Sequence, residues 1–457
     1  MKKAIVAIGV IMLFSGTVWA SGLAIPEQGA AALGMSAAMT ARSEDLSAIF
    51  YNPAGIDYVE GFELYAGITP IMPRHTYSPM TKDVGIFSKI DAEKNMFLPP
   101  QLYAAYRVHP KAVIGLGVYA PFGLGTEWAD TWAGRYTSTY AEIQTVNINP
   151  TIAIEVHEKL SLGIGVSYIT SSATIEKMVN TGGSVGLGTN TAYDSEFGLD
   201  GDGTAWGLNL GALLRPMERL QLGVSYRFAY DLEYEGKAKF KHKDVLKNIP
   251  GGVHPITGAA LSVYDLVSAN MPASQTGTAT MNMPWMLNFG LLYDFENNWD
   301  VSLDLDFVGW KSYEELTIDF EDDKPYDEQT LDKDWENSFI LRAGTSYVVN
   351  ESLVARGGIL FDKNPVPDET MDGQLPDANR FGFSLGMGYT FGKVTIDAGY
   401  MILLFQDREK DNAVGFDTDT TGDGTVDRFD VPAGYPIGNG NYESRAHLIS
   451  VAASMAF

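Results

Sequence analysis

Apolar and polar residues alternate with period two along much of this chain. At the C-terminus, Ile449, Val451, Ala453, Met455 and Phe457 fall on one face, and Ala446, Ser450, Ala452, Ser454 and Ala456 on the other. That is a strand with a greasy outside and a small, mild inside. Leu220, Leu222, Val224, Tyr226, Phe228, Tyr230 and Leu232 alternate with Gln221, Gly223, Ser225, Arg227, Ala229, Asp231 and Glu233. Trp299 to Phe307 alternates with Asp300, Ser302, Asp304 and Asp306, and Phe339, Leu341, Ala343 and Tyr347 with Ile340, Arg342, Gly344 and Ser346. Further such faces start at Trp285, Phe381 and Val394. The pattern predicts about fourteen strands, at 59–77, 97–108, 111–123, 139–157, 160–177, 203–215, 219–240, 276–293, 298–320, 335–348, 352–363, 379–391, 393–406 and 441–457.

A soluble sandwich would alternate too, but two features favour strands in lipid. Tyr and Trp gather at strand ends, where an amphipathic ring suits a membrane interface. Connections also switch between tight turns (such as Val108 to Lys111, Val156 to Lys159 and Gly392-Lys393) and long loops near 178–202, 241–275, 321–334, 364–379 and 407–440. Short turns on one side and long loops on the other is the transmembrane barrel arrangement. Unpaired backbone groups are not tolerated in hydrocarbon, so the sheet must close. The fold expected is all-β, a fourteen-stranded antiparallel transmembrane barrel. The terminal Phe457 is similar to the C-terminal signature of bacterial outer-membrane barrels, which makes outer-membrane lipid, lipopolysaccharide and the barrel-assembly machinery expected partners.

The first twenty residues differ. Lys2 and Lys3 precede an apolar run, Ala4 to Phe14, and Val18-Trp19-Ala20 fits a cleavage site, so 1–20 reads as a secretory signal. Beyond it no apolar run approaches the roughly 18 residues of a membrane helix. Ala24 to Phe50 is alanine-rich without alternation and predicts one or two short helices broken near Gly34 and Ser43. Residues 21–58 form either a free periplasmic tail or a plug inside the barrel, with 59–457 as the barrel itself. There is no cysteine to cross-link the chain. The net charge of −25 argues against a nucleic-acid partner. The acidic runs 194–202, 321–334 and 407–430 read as solvated loops.

Several segments together resemble the FadL-type family of outer-membrane transporters. They are Glu27-Gln28-Gly29 to Gly34, Asp45-Leu46-Ser47, Tyr51-Asn52-Pro53-Ala54-Gly55, Ala120 to Trp128, Val146 to Pro150, Phe307 to Leu316, Pro365 to Asp368 and Leu375 to Arg380. The resemblance runs in order along nearly all of the mature chain. It implies a fourteen-stranded barrel with a small N-terminal hatch, and passive uptake of long-chain fatty acids or hydrocarbons. External loops would capture the ligand, a lumen pocket would bind it, and a gap in the wall would release it sideways. No cofactor is implied.

Candidate residues follow. Pro121 removes a backbone donor and Gly123 permits a bend, so Ala120-Pro121-Phe122-Gly123 is either the end of the third strand or, as the resemblance implies, the inward kink that opens the wall. Asn52-Pro53-Ala54 predicts a tight hatch turn, near the gap or serving as a plain linker. Arg227, Arg342 and Arg356 face inward by parity and either hold a carboxylate head group or brace the lumen against Asp231, Asp304, Asp306 and Asp397. Leu261, Tyr264 and Val267 form an apolar helix face for external capture or for loop packing. Asp419, Asp423, Asp427 and Asp430 fall at EF-hand-like spacing, a speculative calcium loop without flanking helices.

The leading expectation is a passive transporter of hydrophobic small molecules, with long-chain fatty acids first and neutral or aromatic hydrocarbons as the alternative. A general porin conflicts with a plugged lumen. An outer-membrane enzyme lacks an evident triad, because His109 and His157 lie in turns, His447 faces lipid, and His75, His242 and His254 have no evident partners.

Overall fold

In this computed structural model the described residues are 22–83, 85–183, 186–296, 298–320, 328–416, 426–428 and 430–457. The expected signal segment, 1–20, lies outside them. Fourteen strands form one antiparallel ring. They are β1 (Phe62–Ile68, continued by Ile71–Pro79), β2 (Pro100–His109), β3 (Ala112–Tyr119, continued by Gly123–Glu127), β4 (Tyr140–His157), β5 (Leu160–Val179), β6 (Ser195–Met217) and β7 (Leu220–Arg227, continued by Tyr230–Lys241). Then follow β8 (Ser274–Met283 and Met286–Phe295), β9 (Trp299–Val308 and Glu315–Phe320), β10 (Glu328–Asp332 and Ser338–Asn350), β11 (Leu353–Asp362), β12 (Arg380–Phe391), β13 (Val394–Phe405 and Arg408–Lys410) and β14 (Gly440–Ala456). Each pairs with the next, and β14 closes on β1, with Glu63 opposite Ala456 and Ile68 opposite Val451. The Phe457 N–H donates to Phe62 O at 2.9 Å and the two rings pack at 5.5 Å, which seals the seam.

The outward face is the apolar one written in the sequence. Leu385, Met387, Leu303 and Ile359 all stand more than half exposed, as lipid-facing side chains do. Aromatic pairs mark both rims, with Phe295 on Trp299 at 4.8 Å beside a tight turn and Tyr168 on Trp206 at 5.1 Å nearer the long loops.

Residues 22–58 fill the lumen. α1 (Ala30–Gly34) and α2 (Ala48–Tyr51) are single turns, and a 3-10 turn, Pro53–Tyr58, follows. The break expected at Gly34 is present: the chain turns through Ser36 and Ala37 at φ 52° and 60°. The second helix begins at Ala48, later than the Ser43 break suggested, because 38–47 runs through turns and bends tied to the wall, the Thr40 N–H donating to Asp304 and Arg42 to Asp300 and Ser302.

Three strand assignments need correction. Glu328–Asp332, inside the expected loop 321–334, is the first half of β10 and pairs with Glu315–Phe320. The acidic stretch 195–202, expected as loop, is the start of β6; Glu196 and Asp200 answer Lys241 and Lys239 across the ladder, at 2.7 and 2.8 Å. In β7, Tyr230 and Leu232 do not continue the lipid face. The register against β6 shifts by one residue between Arg227, opposite Asn209, and Glu233, opposite Thr204. One extra residue turns every later side chain over. Tyr230, Leu232 and Tyr234 are therefore buried inside, and Asp231, expected inside, is exposed and hydrogen-bonded by Asn282.

Candidate functional site

The inward turn of Tyr234 and Leu232 gives the loop end of the lumen an apolar, aromatic interior, joined by Met281, Met283, Tyr313, Trp310 and Trp335. Within it lies a cavity of about 120 Å³ bounded by Leu23, Ile143, Tyr234, Met281, Tyr313 and Trp335. Its charged lining includes Lys333 and Asp372, 3.4 Å apart. Trp128 and Trp132 stack at 4.4 Å towards the external loops.

Beside this cavity the wall is incomplete. β3 stops at Tyr119, and after Ala120, Pro121 and Phe122 its second half, Gly123–Glu127, pairs with β4 alone. β1's second half pairs with β14 and with the two-residue strand Ile90–Asp91. β2 starts only at Pro100, so nothing regular joins those two halves. The segment before β2 crosses the opening and is tied to both sides. Phe97 exchanges backbone hydrogen bonds with Ile71 (both 2.9 Å), and the Glu93 N–H donates to Glu127 O at 2.8 Å. The Phe97 ring packs against Gly125, where a Cβ would lie 1.8 Å from it.

Proline explains the break, and neighbours absorb its cost. Pro121 has no N–H for the ladder. Thr145 Oγ1 on β4 accepts from the Phe122 N–H at 3.0 Å and donates to Phe122 O at 2.7 Å. The start of the hatch covers the other edge: the Ile25 N–H donates to Pro121 O at 2.8 Å and the Gly123 N–H to Leu23 O at 3.0 Å. Gln28 Nε2 donates to Ala120 O at 2.6 Å. The Gly22 N–H donates to Asp377 Oδ2 at 3.0 Å, and burial pushes the Asp377 carboxyl up to about 6.

The opening forms a groove of about 570 Å³, lined by Gly22, Ala24 and Ile25 of the hatch and by Ile71, Phe97 and Phe122. Glu142, Ile143 and Leu375 belong to both the groove and the cavity. Residues 22–25 therefore stand between them, with Leu23 facing one and Ile25 the other.

Over residues 11–457 the sequence matches the family model described as outer membrane protein transport protein (OMPP1/FadL/TodX). The chain belongs to this FadL/TodX family. It is 24% identical over 399 residues to a long-chain fatty acid transport protein of Escherichia coli K12, covering 85% of this chain and 89% of that one. A putative outer membrane protein of Neisseria meningitidis is 26% identical over 455 residues, covering 92% and 94%. Among solved structures, a Pseudomonas aeruginosa FadL homologue superposes with TM-score 0.78 at 18% identity over 96% of this chain and all of that one. The toluene transporter TodX of Pseudomonas putida gives 0.69 at 16%, over 95% and 99%. This FadL/TodX-family chain is accordingly an outer-membrane β-barrel of the Gram-negative type and a transporter of hydrophobic compounds.

The family kink expected at Ala120–Gly123 coincides with the break in β3. The hatch turn lies away from the gap. Asn52 caps the 3-10 turn through the Ala54 N–H (3.1 Å) and donates to Thr40 O (2.8 Å) and Ala212 O (3.0 Å), so Asn52-Pro53-Ala54 docks on β5 and β6. The hatch residues at the opening are 22–27, which carried no motif beyond Glu27.

None of the three arginines expected at a carboxylate site lines either cavity. Arg227 lies over the Phe50 ring at 5.0 Å and donates to Phe50 O at 3.1 Å. Arg342 binds Asp306 (2.8 Å) and Ser36 O (3.0 Å), and Arg356 binds Asp397 (2.6 Å). They brace hatch and wall, which corrects the ligand-binding expectation. Arg380 and Lys333 are the cations that line the groove and the cavity, and neither was named for that role. The external helix α3 (Val263–Asn270) exists, yet its apolar face packs on Leu246. Val267 is buried there, Tyr264 is partly covered beside His242, and Leu261 lies in the strand before the helix. Loop packing thus uses the face expected for capture.

Of the expected calcium loop, Asp419 and Asp423 lie outside the described residues. Asp427 and Asp430 are joined through the Asp427 N–H to Asp430 Oδ2, at 2.9 Å. Among the described residues no cluster of three or more acidic, histidine or cysteine side chains is poised to hold a metal ion.

Proposed function

We propose that this transporter takes neutral hydrophobic molecules into the apolar cavity at the loop end of the lumen and releases them sideways, past residues 22–25 and Phe97, into the outer leaflet. The observation that supports a neutral ligand is the charge balance of the lining. Lys333 is answered by Asp372, and Arg380 by Asp362 at 2.8 Å, with Asp377 and Glu27 close by. A further carboxylate entering such a site would lose water and gain no unanswered cation. Size agrees: an apolar cavity of about 150 Å³ holds one benzene ring, and the cavity here is about 120 Å³. The groove, at about 570 Å³, accepts a longer chain.

A second reading, long-chain fatty acids, draws on the names of the sequence relatives and on Lys333, a buried ammonium at the wall of an apolar cavity. Binding of naphthalene, dodecane and dodecanoate to the protein in lipid nanodiscs separates the two. The neutral reading expects naphthalene and dodecane to bind wild type and Lys333→Met alike, with dodecanoate weaker. Tighter dodecanoate binding that disappears in Lys333→Met would overturn it in favour of fatty acids.

A further inference from the structure

Lys410 ends the outer extension of β13 and is fully buried. It stands opposite Gly440, beyond the lipid belt, because Glu443, nearer the turns on β14, already forms an exposed ion pair with Lys89 at 3.3 Å. A lysine is almost never sealed off without a charged partner. Among the described residues Lys410 has no ion pair and one hydrogen bond, Nζ donating to Asn439 Oδ1 at 2.9 Å. Two carboxylates act on it through charge, and each is engaged elsewhere: Asp372 with Lys333 at 3.4 Å, and Asp411 with Arg428 at 3.5 Å and Lys82 at 3.8 Å. Tyr77 and Tyr442 donate their hydroxyls to Asn439 O and Gly438 O, at 2.8 and 2.7 Å. Burial outweighs the two carboxylates and pulls the Lys410 amine down to about 7.

The acceptor of that single bond ties the external loops together. Asn439 Nδ2 donates to Asn412 O at 2.9 Å, and Asn439 Oδ1 also accepts from the Asn412 N–H at 3.4 Å. Asn412 Nδ2 in turn donates to Asp368 O at 2.8 Å and Met371 O at 2.9 Å. The loop held in this way, 366–375, supplies Val366, Thr370, Asp372, Gln374 and Leu375 to the wall of the apolar cavity. We propose that Lys410 is a proton-operated latch on that cavity: uncharged, it seals the corner and holds the 366–375 loop down, and on taking a proton it leaves for water and lets the loop lift. This rests on the reading that hydrophobic molecules enter by the cavity, and adds what controls the entrance. The lifted form has an ordinary lysine, with a pKa of roughly 10.4, and so binds the proton more readily than the latched form. Latching is therefore weakest below pH 7, where both forms are protonated, and strengthens up to about tenfold per unit as pH rises above 7.

Spin labels at Glu369→Cys on the loop and Glu443→Cys on β14, both exposed positions, report lifting of the loop in nanodiscs, with heat-modifiable gel mobility checking that each barrel is folded. With Lys410 in place, the distance distribution should hold a longer component at pH 6.5 that shrinks more than about tenfold at pH 9. Lys410→Met, uncharged at every pH, should show the short distance at both. Lys410→Arg, charged at every pH, should show the longer component at both. The naphthalene association rate should follow the longer component. An unchanged distribution between pH 6.5 and 9 would overturn the latch, and so would a pH shift that survives in Lys410→Met. A loop that lifts without changing the association rate would overturn its control of entry. If naphthalene binds at neither pH, the transport reading falls and the entry role with it, while the labels still decide the latch itself.

Discussion

The turn end and the loop end of the same lumen are built from opposite materials. At the turn end the wall gives up side chains to admit the hatch. A Cβ on Gly223 would lie 2.0 Å from Thr40 O, one on Gly211 2.1 Å from Asn52 Oδ1, and one on Gly358 2.4 Å from the Met35 carbonyl carbon. Charge then fixes what the glycines admit. Arg42 is fully buried and bound to Asp300, Glu44 and Ser302; Arg215 holds Asp57 through two bonds of 2.7 Å; the Thr40 N–H donates to Asp304 at 2.7 Å. At the loop end the wall supplies Tyr234, Met281 and Trp335, leaves a cavity, and breaks at Pro121. A close-packed region tied by buried ion pairs resists motion, whereas a region of apolar contacts and a few edge hydrogen bonds yields. One half of the lumen is a stopper and the other half is a route.

Removing 21–58 should break the contrast most severely. Single-channel steps should appear in planar bilayers where the full chain gives almost none; unchanged conductance would end the stopper assignment. Arg42→Ala strands Asp300 beside the hatch, and loss of one partner of a buried pair costs about 3–5 kcal/mol, so hydrogen exchange across 38–47 should accelerate while the barrel remains heat-modifiable. At the loop end, Pro121→Val with Gly123→Val should cut ligand uptake about tenfold while the barrel stays heat-modifiable, since the first restores the N–H that the ladder lacks and the second puts a Cβ 2.7 Å from the Ile25 side chain, which must shift. Phe97→Ala should act in the opposite direction, raising the release rate a few-fold by clearing the ring from Gly125. Thr145→Val should have the smallest effect. It removes two hydrogen bonds to Phe122, about 1–2 kcal/mol, and should show only as faster amide exchange at Phe122 and Gly123.

Strand number, turn sides and the lipid face were legible because lipid imposes one rule on every outward position. The cavity was not, and the reason lies in Tyr226, Phe228, Tyr230 and Leu232. All four are apolar and share one parity, so they read as a single lipid-facing row. Lipid and a hydrophobic ligand ask for the same side chains, and the one-residue shift that carries Tyr230 and Leu232 from outside to inside leaves no trace in polarity. The inward arginines were visible, and so were Asp306 and Asp397, which pair with Arg342 and Arg356; the backbone partners, Phe50 for Arg227 and Ser36 for Arg342, were not. Pro121 was legible as a break because its missing donor acts locally.

The chain has no cysteine, so two engineered disulfides can lock the two halves separately. Ser36 Oγ and Ser384 Oγ are 2.8 Å apart at the stopper, and Ala24 and Phe122 face each other as a non-hydrogen-bonded pair at the kink, a spacing that suits a disulfide. The decisive measurement is uptake of a neutral hydrophobic fluorophore into proteoliposomes by each oxidised double-cysteine protein, before and after reduction. With the stopper locked through Ser36→Cys and Ser384→Cys, uptake should match wild type; with the kink locked through Ala24→Cys and Phe122→Cys, it should fall to background and return on reduction. Loss of uptake in the first and survival in the second would contradict the assignment of stopper and route.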